Sequence, residues 1–156
     1  MGKGLACVHS PTENHLHVVL MQTQPKHSPT HPSIGTQSLD IVQSHRHLGI
    51  ILNSTLSWNT HIAQTTSKCN RLLAILQKFK YRWSKDSLSH IYKSIVQPAL
   101  EYGDILYDSC SVEERKAIED TQLEAARIVT GAKRGTSTNE LYSETRWIPL
   151  QQRRYL

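Results

Sequence analysis

The apolar positions of this chain change period near Ser57. Before that point, short apolar runs sit among polar residues and turn formers: Leu16 to Met21, then Ser38 to Val42, where Leu39 and Ile41 share one face, then His47 to Leu52. Runs of this length, bounded by turn residues, predict strands. Between the first two lies TQPKHSPTHPSIG, whose Pro25, Pro29 and Pro32 lack the backbone donor that a ladder or a helix requires, so a loop or hairpin arm is expected there. This N-terminal third is β-like but carries too little apolar mass to fold by itself.

From Ser57 onward the spacing becomes three and four. Trp58, Ile62, Thr65, Cys69, Leu72, Leu73, Leu76 and Phe79 fall along one face, which predicts a long helix with Ser57 as its cap, ending near Tyr81. Ser84 is the next cap candidate, ahead of Leu88, Ile91, Tyr92, Ile95 and Val96. Pro98 then kinks this helix or starts another that carries Leu100. The short polar break makes the two helices antiparallel neighbours. Gly103 to Cys110, GDILYDSC, fits an extended piece or a helical turn equally well. Behind it, Ser111 and Glu114 have the spacing of a capping box, and Ile118, Thr121, Ala125, Ile128 and Val129 form an inward stripe that Gly131 ends. Ser137 with Glu140 repeats the box before a short helix carrying Leu141 and Tyr142. Pro149 suits the first turn of a last helix running to Leu156, and a periodic segment still open at its final residue suggests truncation. The expected architecture is mainly α, with strand and loop over residues 1–56 and a helical domain over 57–156.

Composition narrows the function classes. With 156 residues, 38% apolar and 20% charged, the chain is within the range of one ordinary soluble domain. Cys7, Cys69 and Cys110 leave one thiol unpaired in any disulfide scheme, which fits a reducing compartment. The opening MGKGLACVH lacks the long apolar core of a signal peptide, and Ala6 stands where a myristoylation signal has Ser or Thr. No apolar run reaches membrane-spanning length. A soluble intracellular protein without a membrane partner is expected, in nucleus or cytoplasm alike. Cys7, His9, His15 and His17 are the residue types of a zinc site, but their spacing matches no finger, and the expectation is no metal and no cofactor.

The net charge of +5 hides a segregation. Between Trp58 and Leu100 there are seven basic residues and one acidic; between Glu101 and Ala125, two and eight; from Ala126 to Leu156, six and two. Lys68, Arg71, Lys78, Lys80, Arg82 and Lys85 lie where a helix pair could follow a phosphate backbone, with the RWS and KRGTS segments adding donors. A solvated helix face balanced by the acidic third helix explains the same counts. Catalysis has less support. There is no DxD or adjacent Asp pair for two-metal chemistry, and no GxxxxGK[ST], GxSxG or HExxH motif.

HRHLGIILNSTLSWNTHI, CNRLLAILQKFK, IYKSIVQPALEYGDILYD, QLEAARIVTGAKRGTS and ELYSETRWIPLQQRR, in that order, resemble the C-terminal part of reverse transcriptases of jockey-like and LINE-like non-LTR retrotransposons. The resemblance covers Leu39 to the end. It implies a palm-edge strand at Leu48, Gly49 and Ile50 that acts as a primer grip, followed by a thumb-like helical bundle closing over the RNA and DNA hybrid. Phosphate contacts are then expected from Lys68, Arg71, Lys78, Lys80, Arg82, Lys133, Arg134 and Arg146. Upstream, SPTENHLHVV looks like a degraded NPxKT segment in which Pro11 is kept and Glu13 falls where the family usually has lysine. The family's metal-binding carboxylates lie earlier in the polymerase, so Mg2+ is expected only for the intact parent enzyme and this chain alone is expected to be inactive. A helical interaction or self-association module using exposed apolar surface is the alternative. Trp58, Tyr92, Tyr102 and Trp147 are expected to pack rather than to stack on bases.

Overall fold

The computed structural model describes residues 5–9, 16–20, 33–34, 37–38 and 40–41 as backbone, and residues 42–55, 57–104, 110–153 and 155 in full. The chain is mainly helical with small antiparallel pairings at its N-terminal end. It divides into two compact units, Met1–His61 and Ile62–Leu156.

In the first unit, β1 (Leu5–His9) and β2 (Leu16–Leu20) run antiparallel, Leu5 opposite Leu20 and His9 opposite Leu16. The short β3 (Ser33–Ile34) and β4 (Gln37–Ser38) form their own antiparallel pair, and β5 (Asp40–Ile41) joins β2 in parallel. The strand expected over Ser38 to Val42 is thus divided between β4 and β5. The proline-rich arm expected over residues 23–35 lies outside the described residues except for Ser33 and Ile34, which form β3, and His15 also lies outside them.

The stretch from His47 to Leu52, expected as one strand, is a hairpin. β6 (Ser44–His47) pairs with β7 (Ile50–Asn53) around a turn at Leu48 and Gly49, whose φ values are 48° and 81°. A two-residue turn with positive φ at both positions matches the twist of the strands it joins, and Asn or Gly is the favoured first residue. Leu48 therefore stands in a conformation costing roughly 1–2 kcal/mol for a side chain with a Cβ. In such a hairpin the closing pair, His47 and Ile50, exchanges the ladder bonds, so the N–H of Ile51 points away from β6. It donates to Nδ1 of the buried His61 at 3.4 Å.

Asn53 organises the exit from the hairpin. Its Oδ1 accepts the Ser57 N–H at 2.8 Å and the Thr55 hydroxyl at 3.2 Å, while its Nδ2 donates to Ser57 Oγ at 3.2 Å. Ser57, expected as a helix cap, is engaged by Asn53 instead, and α1 (Asn59–Phe79) begins two residues later.

In the second unit the inner face of α1 buries Ile62, Cys69, Leu73 and Leu76. The helix ends at Phe79, short of Tyr81, and runs into a turn in which the N–H groups of Arg82 and Trp83 both donate to the Phe79 carbonyl. Ser84 caps α2 (Lys85–Ile91), its Oγ accepting the Ser87 N–H at 3.2 Å. The path continues through a π-helical turn, Tyr92–Val96, into α3 (Gln97–Glu101). Pro98 accounts for the widened turn, since it offers no N–H and its ring collides with the carbonyl one α-turn earlier. The extra residue rotates the stripe: Leu88, Tyr92, Val96 and Leu100 are buried at steps of four, whereas Ile95, expected inside, is 53% exposed. The ambiguous GDILYDSC segment falls largely outside the described residues.

α4 (Val112–Thr130) has the expected capping box, Ser111 Oγ accepting the Glu114 N–H at 3.2 Å and Glu114 Oε2 accepting the Ser111 N–H at 2.8 Å. Gly131 ends it at φ 78°. α5 (Thr138–Thr145) is capped by Ser137. α6 (Leu150–Arg153) is short, with Tyr155 in a turn, where a helix to Leu156 was expected.

Gln122, on α4, is 1% exposed among apolar neighbours and spends its amide on three segments. Oε1 accepts the Tyr92 hydroxyl at 2.9 Å; Nε2 donates to the Ile148 carbonyl at 2.9 Å and to the Tyr142 hydroxyl at 3.3 Å. The Tyr142 hydroxyl donates in turn to Glu119, and the Tyr92 ring stacks on Trp147 with centroids 4.0 Å apart. Burial holds both tyrosine hydroxyls well above the usual phenol range, so both remain donors. The Trp147 indole N–H reaches Ser89 Oγ at 3.2 Å.

Two outcomes are expected. Gln122→Leu leaves the Tyr92 hydroxyl buried without its partner and removes the donor to the part-buried Ile148 carbonyl, and should lower the unfolding free energy in urea by about 1–3 kcal/mol. His61 sits below its ordinary pKa of 6.5, chiefly through burial and secondarily through Arg46. A lowered histidine pKa means that the stabilisation from the neutral ring is complete above the unfolded value and lost as pH falls through the folded one. Protection of the Ile51 amide, corrected for intrinsic exchange, should therefore fall on acidification below 6.5, and His61→Gln, which keeps an acceptor without titrating, should abolish that pH dependence.

Candidate nucleic-acid interface

The buried face of α1 dictates what its opposite face can be. Lys68, Arg71, Ile75 and Lys78 recur at spacings of three and four on the side away from Cys69, Leu73 and Leu76, and all four are exposed. At 1.5 Å per residue, Lys68 to Lys78 spans about 15 Å. Duplex strands carry a phosphate each ~3.4 Å along the axis, so this row has the length of roughly four of them. Arg82, in the turn after α1, is also exposed. Among the described residues none of Lys68, Arg71, Lys78 and Arg82 has a carboxylate partner.

Lys80 connects this row to a second segment. A Cβ built on Gly131 would lie 3.8 Å from Lys80 Cε, so the loop that follows α4 meets the end of α1. That loop carries Lys133 and Arg134, both exposed, and is closed by Thr136, whose N–H and hydroxyl both donate to the Lys133 carbonyl at 3.2 and 2.9 Å. The fold thus gathers Lys78, Lys80, Arg82, Lys133 and Arg134 at one end of the helical unit. Arg146 stands apart from them: it follows the last turn of α5 at φ 56°, whereas the Lys133 loop precedes the first.

Three other cations are already matched. Lys85 pairs with Glu144 at 2.5 Å, Arg153 with Glu101 at 2.5 Å and Arg127 with Glu124 at 3.2 Å. A groove of about 400 Å³ between α4 and α6 is lined by Arg115 and Lys116 together with Glu119 and Asp120, beside Ile118 and Leu150. Its mixed signs set up no field for a polyanion.

The grip candidates Leu48, Gly49 and Ile50 are found at the tip of the β6–β7 hairpin rather than within one strand, with Leu48 75% exposed. Trp58, Tyr92 and Trp147 are buried, while Tyr102, expected to pack, is 53% exposed. Reading by apolar stripe passed over Tyr81, 90% exposed, and Trp83, 43% exposed. The signal that locates them is the alternation of cation and ring in KFKYRWSK, residues 78–85. Among the described residues no group of His, Cys, Asp or Glu could hold a metal ion, and no helix is long and apolar enough to cross a membrane. The chain matches no family model, no curated protein and no solved structure.

Proposed function

We propose that the helical unit contacts a primer and template duplex, RNA paired with DNA, as the thumb-like part of an RNA-directed DNA polymerase of the non-LTR retrotransposon kind. The observation that carries this reading is the row of exposed cations, Lys68, Arg71, Lys78 and Arg82, with no carboxylate partner among the described residues. The lysine and arginine groups of this row reach phosphates on long flexible stems, and contacts made to phosphates alone are independent of sequence. The order of motifs from HLGIIL through LSW to RWIPLQQRR supports the polymerase parentage. In this reading bond formation and Mg2+ belong to the catalytic palm of a complete enzyme. The chain's own part is to hold the duplex.

The test is binding of the 156-residue chain to an RNA and DNA hybrid over a range of salt. Four phosphate contacts give a slope of about −3 to −4 in log affinity against log salt, or a loss of roughly a hundredfold between about 50 and 200 mM. The combined variant Lys68→Glu, Arg71→Glu, Lys78→Glu should weaken binding and flatten that slope. No binding at the lowest salt, or an affinity indifferent to salt, contradicts the reading and leaves an apolar interaction surface as the better account.

A further inference from the structure

The turn between α1 and α2 presents a feature that duplex binding does not use. Tyr81 is 90% exposed, an apolar ring in water at the tip of a helical hairpin. Lys80 Nζ lies 5.6 Å from the centre of that ring, close enough for a cation to favour one face. Two residues on, Trp83 is stacked on Phe79, centroids 4.5 Å apart and planes 12° off parallel, and is still 43% exposed. Phe79 thereby fixes the indole in place. The turn itself is held by two bonds to the Phe79 carbonyl, from Arg82 at 2.9 Å and Trp83 at 3.1 Å.

Around these rings the free charge is mostly positive, with Asp86 on the first turn of α2 the acidic exception. Lys80 and Arg82 flank Tyr81 in sequence, Lys78 is one turn back, and Lys133 and Arg134 come from the loop that touches Lys80 through Gly131. Lys85, the cation beyond Trp83, is taken by Glu144. Exposed rings interleaved with unpaired cations are of no use against a duplex, whose base faces are covered by their neighbours. They suit a strand whose bases are unstacked, which needs a ring for each base and a cation for each phosphate.

We infer that the Lys80–Trp83 turn, with Lys133 and Arg134 beside it, is a binding site for single-stranded nucleic acid, in which an unpaired base stacks on Tyr81, a neighbouring base meets Trp83, and Lys80 takes the intervening phosphate. The site rests on the proposal that this unit handles nucleic acid and adds to it the unpaired strand beside the duplex. The contacts involve no donor or acceptor specific to one base, so pyrimidine and purine strands are both accepted.

The test compares the intact chain and its Tyr81→Ala and Tyr81→Phe variants for binding to a labelled oligodeoxythymidylate of about 12 nucleotides and to a hybrid duplex of similar length, at low salt. Tyr81 is so exposed that its removal leaves the fold intact. The expected result is a loss of roughly five- to a hundredfold in single-strand affinity for Tyr81→Ala, near-normal binding for Tyr81→Phe, and duplex affinity unchanged in both. Trp58 and Trp147 are buried, so quenching of tryptophan fluorescence by the oligonucleotide should disappear in Trp83→Phe. Duplex binding without single-strand binding overturns this inference alone, as does a Tyr81→Ala variant that binds the single strand normally or loses both ligands equally. Failure of the unaltered chain to bind either ligand overturns the inference and the duplex reading together.

Discussion

A single buried amide sets the register of the helical unit. Gln122 meets the Tyr92 hydroxyl from the π-helical turn, the Tyr142 hydroxyl from α5 and the Ile148 carbonyl from the segment leading into α6. These groups are separated along the chain but converge on one side chain that is 1% exposed. An apolar contact tolerates sliding; a buried amide with its two N–H groups and its oxygen engaged does not, because any shift leaves a polar atom unpaired in a medium that cannot replace water. The stack of Tyr92 on Trp147 adds a flat contact to the same junction. Around it, Leu88, Val96, Ile118, Ala125, Leu141 and Leu150 close the core.

This rigidity matters because the candidate surface is assembled from separate pieces. The row along α1 is fixed by the helix itself, with the Cys69 thiol reaching the Val96 carbonyl at 4.0 Å on the buried side. The Lys133 loop reaches the end of α1 only because α4 stops at Gly131, in a left-handed conformation that a Cβ would strain. Most acidic side chains of the described helical unit are on α4 or are paired with Lys85, Arg127 and Arg153, while Asp86 stands on α2 and Glu140 on α5. Exposed cations without a carboxylate partner among the described residues run along α1 to its C-terminal end, where the exposed rings of the α1–α2 turn lie; Lys93, Lys116 and Arg146 are also unmatched but stand elsewhere.

Much of this was legible in the residues, and the exceptions have physical causes. Capping boxes are local, so Ser111 with Glu114 and the cap at Ser137 could be located from spacing alone, as could Gly131. Ser57 has the same composition signal but was outcompeted by Asn53, a partner four residues back that no helix template considers. The strand reading of HLGIIL failed because its apolar residues straddle a turn, and Leu48 occupies a position where a turn rule looks for Asn or Gly. Ile95 followed the helical period until Pro98 forced a wider turn that put it outside. Gln122 escaped notice because a stripe is counted in apolar residues, and the most constraining residue of α4 is polar. The basic row was visible in sequence; which of its members are unmatched was not, since Lys85 and Glu144 are far apart in the chain.

The central claim is that the outer face of α1 and the turn beyond it form the surface that meets nucleic acid. A titration of the 15N-labelled chain with an RNA and DNA hybrid, followed by amide shifts, tests it most directly. The account predicts perturbations at Lys68, Arg71, Lys78 and Arg82, extending to the Lys133–Gly135 loop, while Glu113, Asp120 and Glu124 on the outer side of α4 stay still. Shifts centred on α4 and α6, or none along α1 at low salt, would contradict it.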